Sequence, residues 1–186
     1  QQEASRKLGF SAKRTMSVAQ SLYEGIEING EGVGLITYIR TDSLRIAAEA
    51  IAEVREYIGG KYGSEYLPAS PNYYKSKKNI QDAHESIRPT SLAREPESIR
   101  AFLTSDQYKL YKLIFERFVA CQMSDAVYKT KSADIEARGY IFRATASERV
   151  FDGFMTVYIE GRDNEEEKEK KQTLPTLAEG DKPAFS

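Results

Sequence analysis

The sequence predicts a mainly α chain with a β portion, an α+β fold with a helical domain over residues 1–127 and antiparallel strands over 128–186. Three observations carry this. In the segments around 11–24, 43–58 and 105–121, apolar residues recur every three or four positions, the period of one helix face. After about residue 127 the period drops to two, the alternation of a half-covered strand. The hydrophobic content of 40% over 186 residues is enough to build a core, which excludes a wholly disordered chain.

The elements follow in order. Ala12, Met16, Ala19 and Leu22 form one helical face, with Lys13, Arg14 and Glu24 between them and Gly25 as a stop. GIEINGEGVG at 25–34 reads as a turn-rich connection around Asn29-Gly30, and it lacks the GxxxxGK[ST] pattern of a phosphate loop. Gly34 to Ile39 is apolar but too brief for a helix, so an extended segment is expected there. Asp42 or Ser43 can cap the next helix, which repeats Ala47, Ala50, Ile51, Val54 and Ile58 and stops at Gly59-Gly60. Residues 61–80, with Pro68 and Pro71, are irregular and mix tyrosines with lysines, notably Tyr73, Tyr74, Lys75, Lys77 and Lys78. Aromatic rings interleaved with cations suit a single-stranded nucleic acid, bases stacking and phosphates pairing.

A short helix is expected at 80–87 before Arg88-Pro89, and another at about 95–103 starting near Pro96. Thr104 or Ser105 caps the widest amphipathic helix, which carries Leu110, Leu113, Ile114, Phe118 and Cys121. Residues 132–138 and 140–146 then alternate around a turn at Gly139, and a third strand is expected from Phe154 to Ile159. The charged run at 165–171 reads as a solvated loop, with one more short strand near 173–178.

Composition narrows the function. With 27 Lys+Arg against 28 Asp+Glu, bulk electrostatics cannot coat duplex DNA, so any nucleic acid must meet local clusters. The single cysteine, Cys121, excludes a disulfide scaffold and any multi-cysteine zinc site. One histidine among scattered carboxylates offers no metal-ligand spacing, and no metal site is expected within the chain. No apolar run approaches the roughly 18 residues of a membrane span. The opening QQEASRKLGF lacks the layout of a signal peptide, so a cytoplasmic protein without membrane partners is expected.

Two stretches carry residue types suited to chemistry. In LITYIRTDS at 35–43, Tyr38 and Arg40 lie two apart, which in an extended segment puts both on one side. A guanidinium there offers paired donors to a phosphate that the phenol attacks. On spacing alone, ordinary packing of Tyr38, with Arg40 paired to Asp42 or Glu49, is the stronger reading. In QDAHESIRPT at 81–90, His84 stands four residues before Arg88, a pair that could hold a phosphodiester from one helical face. Taken alone, His84 reads as a surface or capping histidine.

Together, GLITYIRTDS at 34–43 and QDAHESIRPT at 81–90 resemble the two signature stretches of the bacterial type IA DNA topoisomerases. LGFSAKRTMSVAQSLYEG at 8–25, FVACQMSDAVY at 118–128 and FDGFMTVY at 151–158 extend the resemblance collinearly over nearly the whole chain. Ile39 stands where methionine is common. The resemblance implies that Tyr38 is a nucleophile forming a transient 5′-phosphotyrosine with single-stranded DNA, so that a second strand passes and negative supercoils relax without ATP. It implies that Arg40 assists the tyrosine and the phosphate, that Asp42 orients His84 toward DNA, and that Glu85, Arg88 and Thr90 belong to the second signature. It also implies a central portion of such an enzyme, its β part contributing to a hinge arch. Mg²⁺ and a catalytic lysine would come from a separate Toprim domain that the sequence does not contain, so the chain alone is expected to be inactive. Two alternatives stay open: a non-catalytic helical module for nucleic acid or protein, and a tyrosine recombinase, which fits poorly with one histidine.

Overall fold

The protein is described by a computed structural model over residues 1–74, 84–161, 174–175, 178 and 180–181. It divides into two units, one of residues 1–124 together with 153–161, the other holding 125–152. The charged run at 165–171, Lys75, Lys77, Lys78, and residues 173, 176 and 177 of the last expected strand lie outside the described residues. Among the described residues no helix is long and apolar enough to cross a membrane.

The helical unit opens with α1 (Gln2–Leu8) and α2 (Ala12–Glu24). Ser11 starts α2 by accepting the Arg14 backbone N–H at 3.2 Å, satisfying one of the free donors of a helix start. The helix α4 (Ser105–Cys121) starts with a capping box: Thr104 Oγ1 accepts from Gln107 N at 3.3 Å, and Gln107 Oε1 accepts from Thr104 N at 2.9 Å. Arg14 joins the two helices through a two-pronged contact with Asp106 at 2.7 and 2.8 Å. Leu22, Leu35, Ile36, Val54, Ile58, Tyr111 and Val119 are buried in one core. Each large aliphatic side chain placed there stabilises by about 1.5–3 kcal/mol relative to solvent.

Several expectations are corrected. The helix α1 was not foreseen; its seven residues carry too short a pattern, and only Glu3 and Ala4 are buried. Residues 25–34 form a hairpin, β1 (Ile26–Ile28) against β2 (Glu31–Val33), rather than a plain connection. Asp42 and Ser43 cap nothing: α3 spans Ala48–Lys61, with Ala47 before it and no side-chain cap. Thr41 Oγ1 accepts from Ser43 N at 3.0 Å and Ser43 Oγ from Arg45 N at 3.2 Å, local turn bonds that compete with helix formation. The helix also passes through Gly59-Gly60, where Gly59 lies so close to Leu67 that a Cβ would come within 3.1 Å of its Cδ1.

The short helix expected at 80–87 is absent from its described part, 84–87, because those residues bond to distant chain. Ser86 N donates to Arg45 O at 2.8 Å, and Ser86 O accepts from Thr37 Oγ1 at 2.8 Å. The helix expected at 95–103 is reduced to turns and one 3₁₀ turn, Arg100–Phe102. The strand expected at 154–159 is a 3₁₀ turn, Gly153–Thr156, followed by a buried Tyr158. Phe154 N donates to Ser124 O at 2.9 Å, the Tyr158 hydroxyl donates to Glu3, and Arg117 donates to Tyr158 Oη at 3.0 Å. Its apolar residues serve the helical core, so residues 153–161 belong to that unit and not to a β portion running from 128.

The second unit is an antiparallel ribbon, β3 (Val127–Ala137) against β4 (Tyr140–Phe151). The register runs from Ala137 opposite Tyr140 to Lys129 opposite Glu148, with a shift at Val127/Tyr128. Its two-residue turn puts Arg138 at φ 52° and Gly139 at φ 80°, the left-handed pair that matches strand twist.

Candidate functional site

The site grows from the end of α2. Leu35 N donates to Leu22 O at 2.8 Å, which lays the first signature stretch against the last turn of the helix. Gly34 is needed at that approach, since a Cβ there would sit 2.9 Å from the Tyr23 carbonyl oxygen. The stretch then meets the second signature. Ile36 bridges Pro89 in antiparallel fashion, Thr37 N donates to Arg88 O at 3.0 Å, and Thr90 N donates to Leu35 O at 3.0 Å. Side chains lock this register: Thr37 Oγ1 donates to Ser86 O at 2.8 Å and accepts from Arg88 N at 3.0 Å, while Thr90 Oγ1 donates to Gly34 O at 2.7 Å. Two segments separated by some fifty residues of sequence therefore form one short ladder.

This ladder presents Tyr38 beside His84. Their ring centroids are 5.2 Å apart at 31°, and Tyr38 is 38% exposed. Ile39 is buried while Arg40 is exposed, so the phenol and the guanidinium both reach solvent around an anchored apolar residue. Asp42 and His84 are exposed as well. Neither Arg40 nor Asp42 has an ion-pair partner among the described residues, which leaves the guanidinium's donors available to an anion.

Of the remaining predicted residues, Glu85 and Arg88 are half-buried, while Thr90 is exposed and donates to the first signature. Arg88 has a side chain only 13% exposed, and it donates to Glu85 Oε2 at 2.8 Å and to its neighbour's carbonyl, Pro89 O, at 2.9 Å. Glu85 Oε2 also accepts from Ala47 N at 3.4 Å, tying the second signature to the start of α3. Partial burial works to raise the Glu85 carboxyl, but the hydrogen bond and charge of Arg88, the Ala47 N–H and Arg45 outweigh it and hold the group below the usual carboxylate range. Glu85, Arg88 and Thr90 thus fasten the segments that carry Tyr38 and His84. Asp82 and the lysines at 75–78 lie outside the described residues.

Sequence reasoning missed two participants. Thr37 is the register lock, and its place beside Tyr38 in a period-two segment, facing the other way, was the available signal. Tyr23, at the end of α2, packs edge-on to Tyr38 with centroids 5.5 Å apart at 67°. No sequence pattern pointed to it, because the fold of 25–34 brings it there. Cys121 is not an activated thiol: burial pushes it up to about 11. Among the described residues no group of three or more His, Cys, Asp or Glu side chains could hold a metal ion.

Comparison with known proteins gives consistent matches. A family model described as DNA topoisomerase matches residues 1–185. The proteins named DNA topoisomerase 1 from Rickettsia conorii and Rickettsia felis are each 50% identical over 182 residues, covering 96% of this chain and 23% of their own length. The solved structure of full-length topoisomerase I from Thermotoga maritima superposes with a TM-score of 0.77 at 37% identity, over 97% of this chain and 28% of that one. The chain therefore spans about a quarter of the length of these relatives.

Proposed function

The chain belongs to the bacterial type IA DNA topoisomerase family, and we propose that it carries the nucleophile of such an enzyme, Tyr38. In this reading Tyr38 Oη attacks a phosphodiester of single-stranded DNA. An Oη–P bond forms, the P–O3′ bond breaks, the phenol gives up its proton, and the departing 3′ oxygen gains one. The strand end stays attached as a 5′-phosphotyrosine while the 3′ end is held without a covalent bond. Another strand passes, and attack by the 3′ hydroxyl reverses the step. One phosphoester is exchanged for another, so no ATP is needed to relax negatively supercoiled DNA.

The observation that carries the proposal is the exposed Tyr38 ring 5.2 Å from the His84 ring on a ladder built from both signatures. A neutral phenol is a weak nucleophile and needs charge or a base close to the attacked phosphate. The exposed Arg40 supplies two donors for the phosphate oxygens, and the adjacent imidazole holds or gives a proton there. Asp42, exposed two residues past Arg40, orients that imidazole once DNA is bound. Mg²⁺ and further positive charge would come from a Toprim domain, which would complete the site. The working protein would act in the cytoplasm, at the nucleoid.

The test is covalent trapping. In a full-length polypeptide carrying this chain, denaturant added to a labelled single-stranded oligonucleotide reaction traps an adduct on the 5′-phosphate end created at the break. Tyr38→Phe abolishes it. An adduct of 3′ polarity, or one that survives Tyr38→Phe, overturns the proposal. The chain by itself binds single-stranded DNA weakly and leaves supercoiled plasmid unrelaxed; relaxation by the pure chain that is lost with Tyr38→Phe would contradict its dependence on the Toprim domain.

A further inference from the structure

We propose that Tyr23 is a positioning residue for the Tyr38 nucleophile, its aromatic ring holding the phenol in the orientation from which it attacks. This rests on the reading of Tyr38 as the nucleophile. A tyrosine that is 38% exposed has room to change rotamer, and a nucleophile that wanders loses the benefit of a preformed approach geometry. In this structure two rings from separate elements limit it: His84 from the second signature, and Tyr23 from the end of α2.

The Tyr23 contact is built rather than incidental. The Leu35 N–H bond to Leu22 O and the close pass of Gly34 under the Tyr23 carbonyl register the last turn of α2 against the Tyr38 segment. Ser21 Oγ accepts from the Gln107 side chain at 3.1 Å, fastening the same turn to the start of α4. Leu22, between them, is fully buried. The backbone bearing Tyr23 therefore has little freedom, and an edge-to-face ring pair inherits that rigidity. Its role needs the ring and not the hydroxyl, because the observed contact is ring to ring.

The experiment measures single-turnover cleavage of a labelled single-stranded oligonucleotide by the full-length polypeptide, together with its affinity for an uncleaved oligonucleotide and its melting temperature. Tyr23→Leu and Tyr23→Gln slow cleavage about three- to tenfold, the worth of one aromatic pair. Tyr23→Phe restores the rate, and DNA affinity and melting temperature stay at their starting values. An unchanged cleavage rate in both truncations overturns the inference. So does a fall in DNA affinity by the same factor as the rate, which would make Tyr23 a base-stacking platform, or a failure of Tyr23→Phe to rescue. Tyr38→Phe run alongside separates the two claims: loss of the adduct there with normal Tyr23 variants sinks only the positioning role, whereas an adduct that persists sinks the nucleophile itself.

Discussion

The helical unit and the β ribbon both contain long regular elements, yet they treat their apolar side chains in opposite ways. In the helical unit Leu22, Val54, Ile58 and Tyr111 are sealed from water, and the loops between helices are fastened by side chains such as Thr37, Glu85 and Arg88. No residue of β3 or β4 is buried, and Tyr140 and Ile141 are 71% and 72% exposed. The ribbon is held by its backbone ladder and by cross-strand pairs such as Thr130 with Ser147 and Asp134 with Arg143. Two strands with no covered face are marginal alone. A side chain that must keep one orientation needs packing around it, and Tyr38, His84 and Tyr23 all stand on the unit that has a core, as the role proposed for Tyr38 requires.

Truncating one side chain in each region separates the two arrangements. Leu22→Ala in the helical unit costs about 2–5 kcal/mol in denaturant unfolding followed by helical circular dichroism. Ile135→Ala in the ribbon costs at most about 1 kcal/mol, the scale of a cross-strand pair. Equal losses would show that the ribbon has a core of its own. A smaller effect sharpens the comparison within the helical unit. Thr37→Val keeps the shape but leaves Ser86 O and Arg88 N without their hydroxyl partner, at about 1–3 kcal/mol. Its signature is lower covalent trapping by Tyr38 at temperatures where the fold persists, because the register between the signatures loosens.

The smallest effect is a pH dependence. The Glu85 carboxyl is held below its ordinary range in the folded chain, so its contribution to stability is fully present above the unfolded value, roughly pH 4, and is lost as pH falls through the folded value. Glu85→Gln removes that dependence. The stability gap between the parent chain and Glu85→Gln therefore closes on acidification, read as converging melting temperatures; a gap that widens toward acid would show that the Arg88 pair does not control this carboxyl.

Part of the molecule was legible from local pattern. The helices α2 and α4 follow from apolar spacing, and the start of α4 also from Thr104, whose cap forms within three residues of the chain. The ribbon follows from alternation on either side of Gly139. The misses have two causes. Ser43 looks like a helix cap until a local turn bond from Arg45 N claims it. Residues 84–87 look helical until Arg45 and Thr37 claim Ser86, and Phe154 to Tyr158 alternate like a strand until the core takes them. In these last two a distant partner won over a local preference, and one-dimensional pattern has no access to distant partners.

For the site, the amino-acid order supplied the two signatures and, through them, the family; the resemblance, and not the local spacing, is what nominated Tyr38, Arg40, Asp42 and His84. The order did not contain the pairing of Ile36 with Pro89, the inward turn of Arg88 onto Glu85, or the Tyr23 ring against Tyr38. The first and third join residues far apart in the chain or across the hairpin at 26–33, and the second, between residues three apart, forms on a non-helical backbone; their free energy exists only once the core around Leu22, Leu35 and Ile36 has closed and fixed the backbones that bear them.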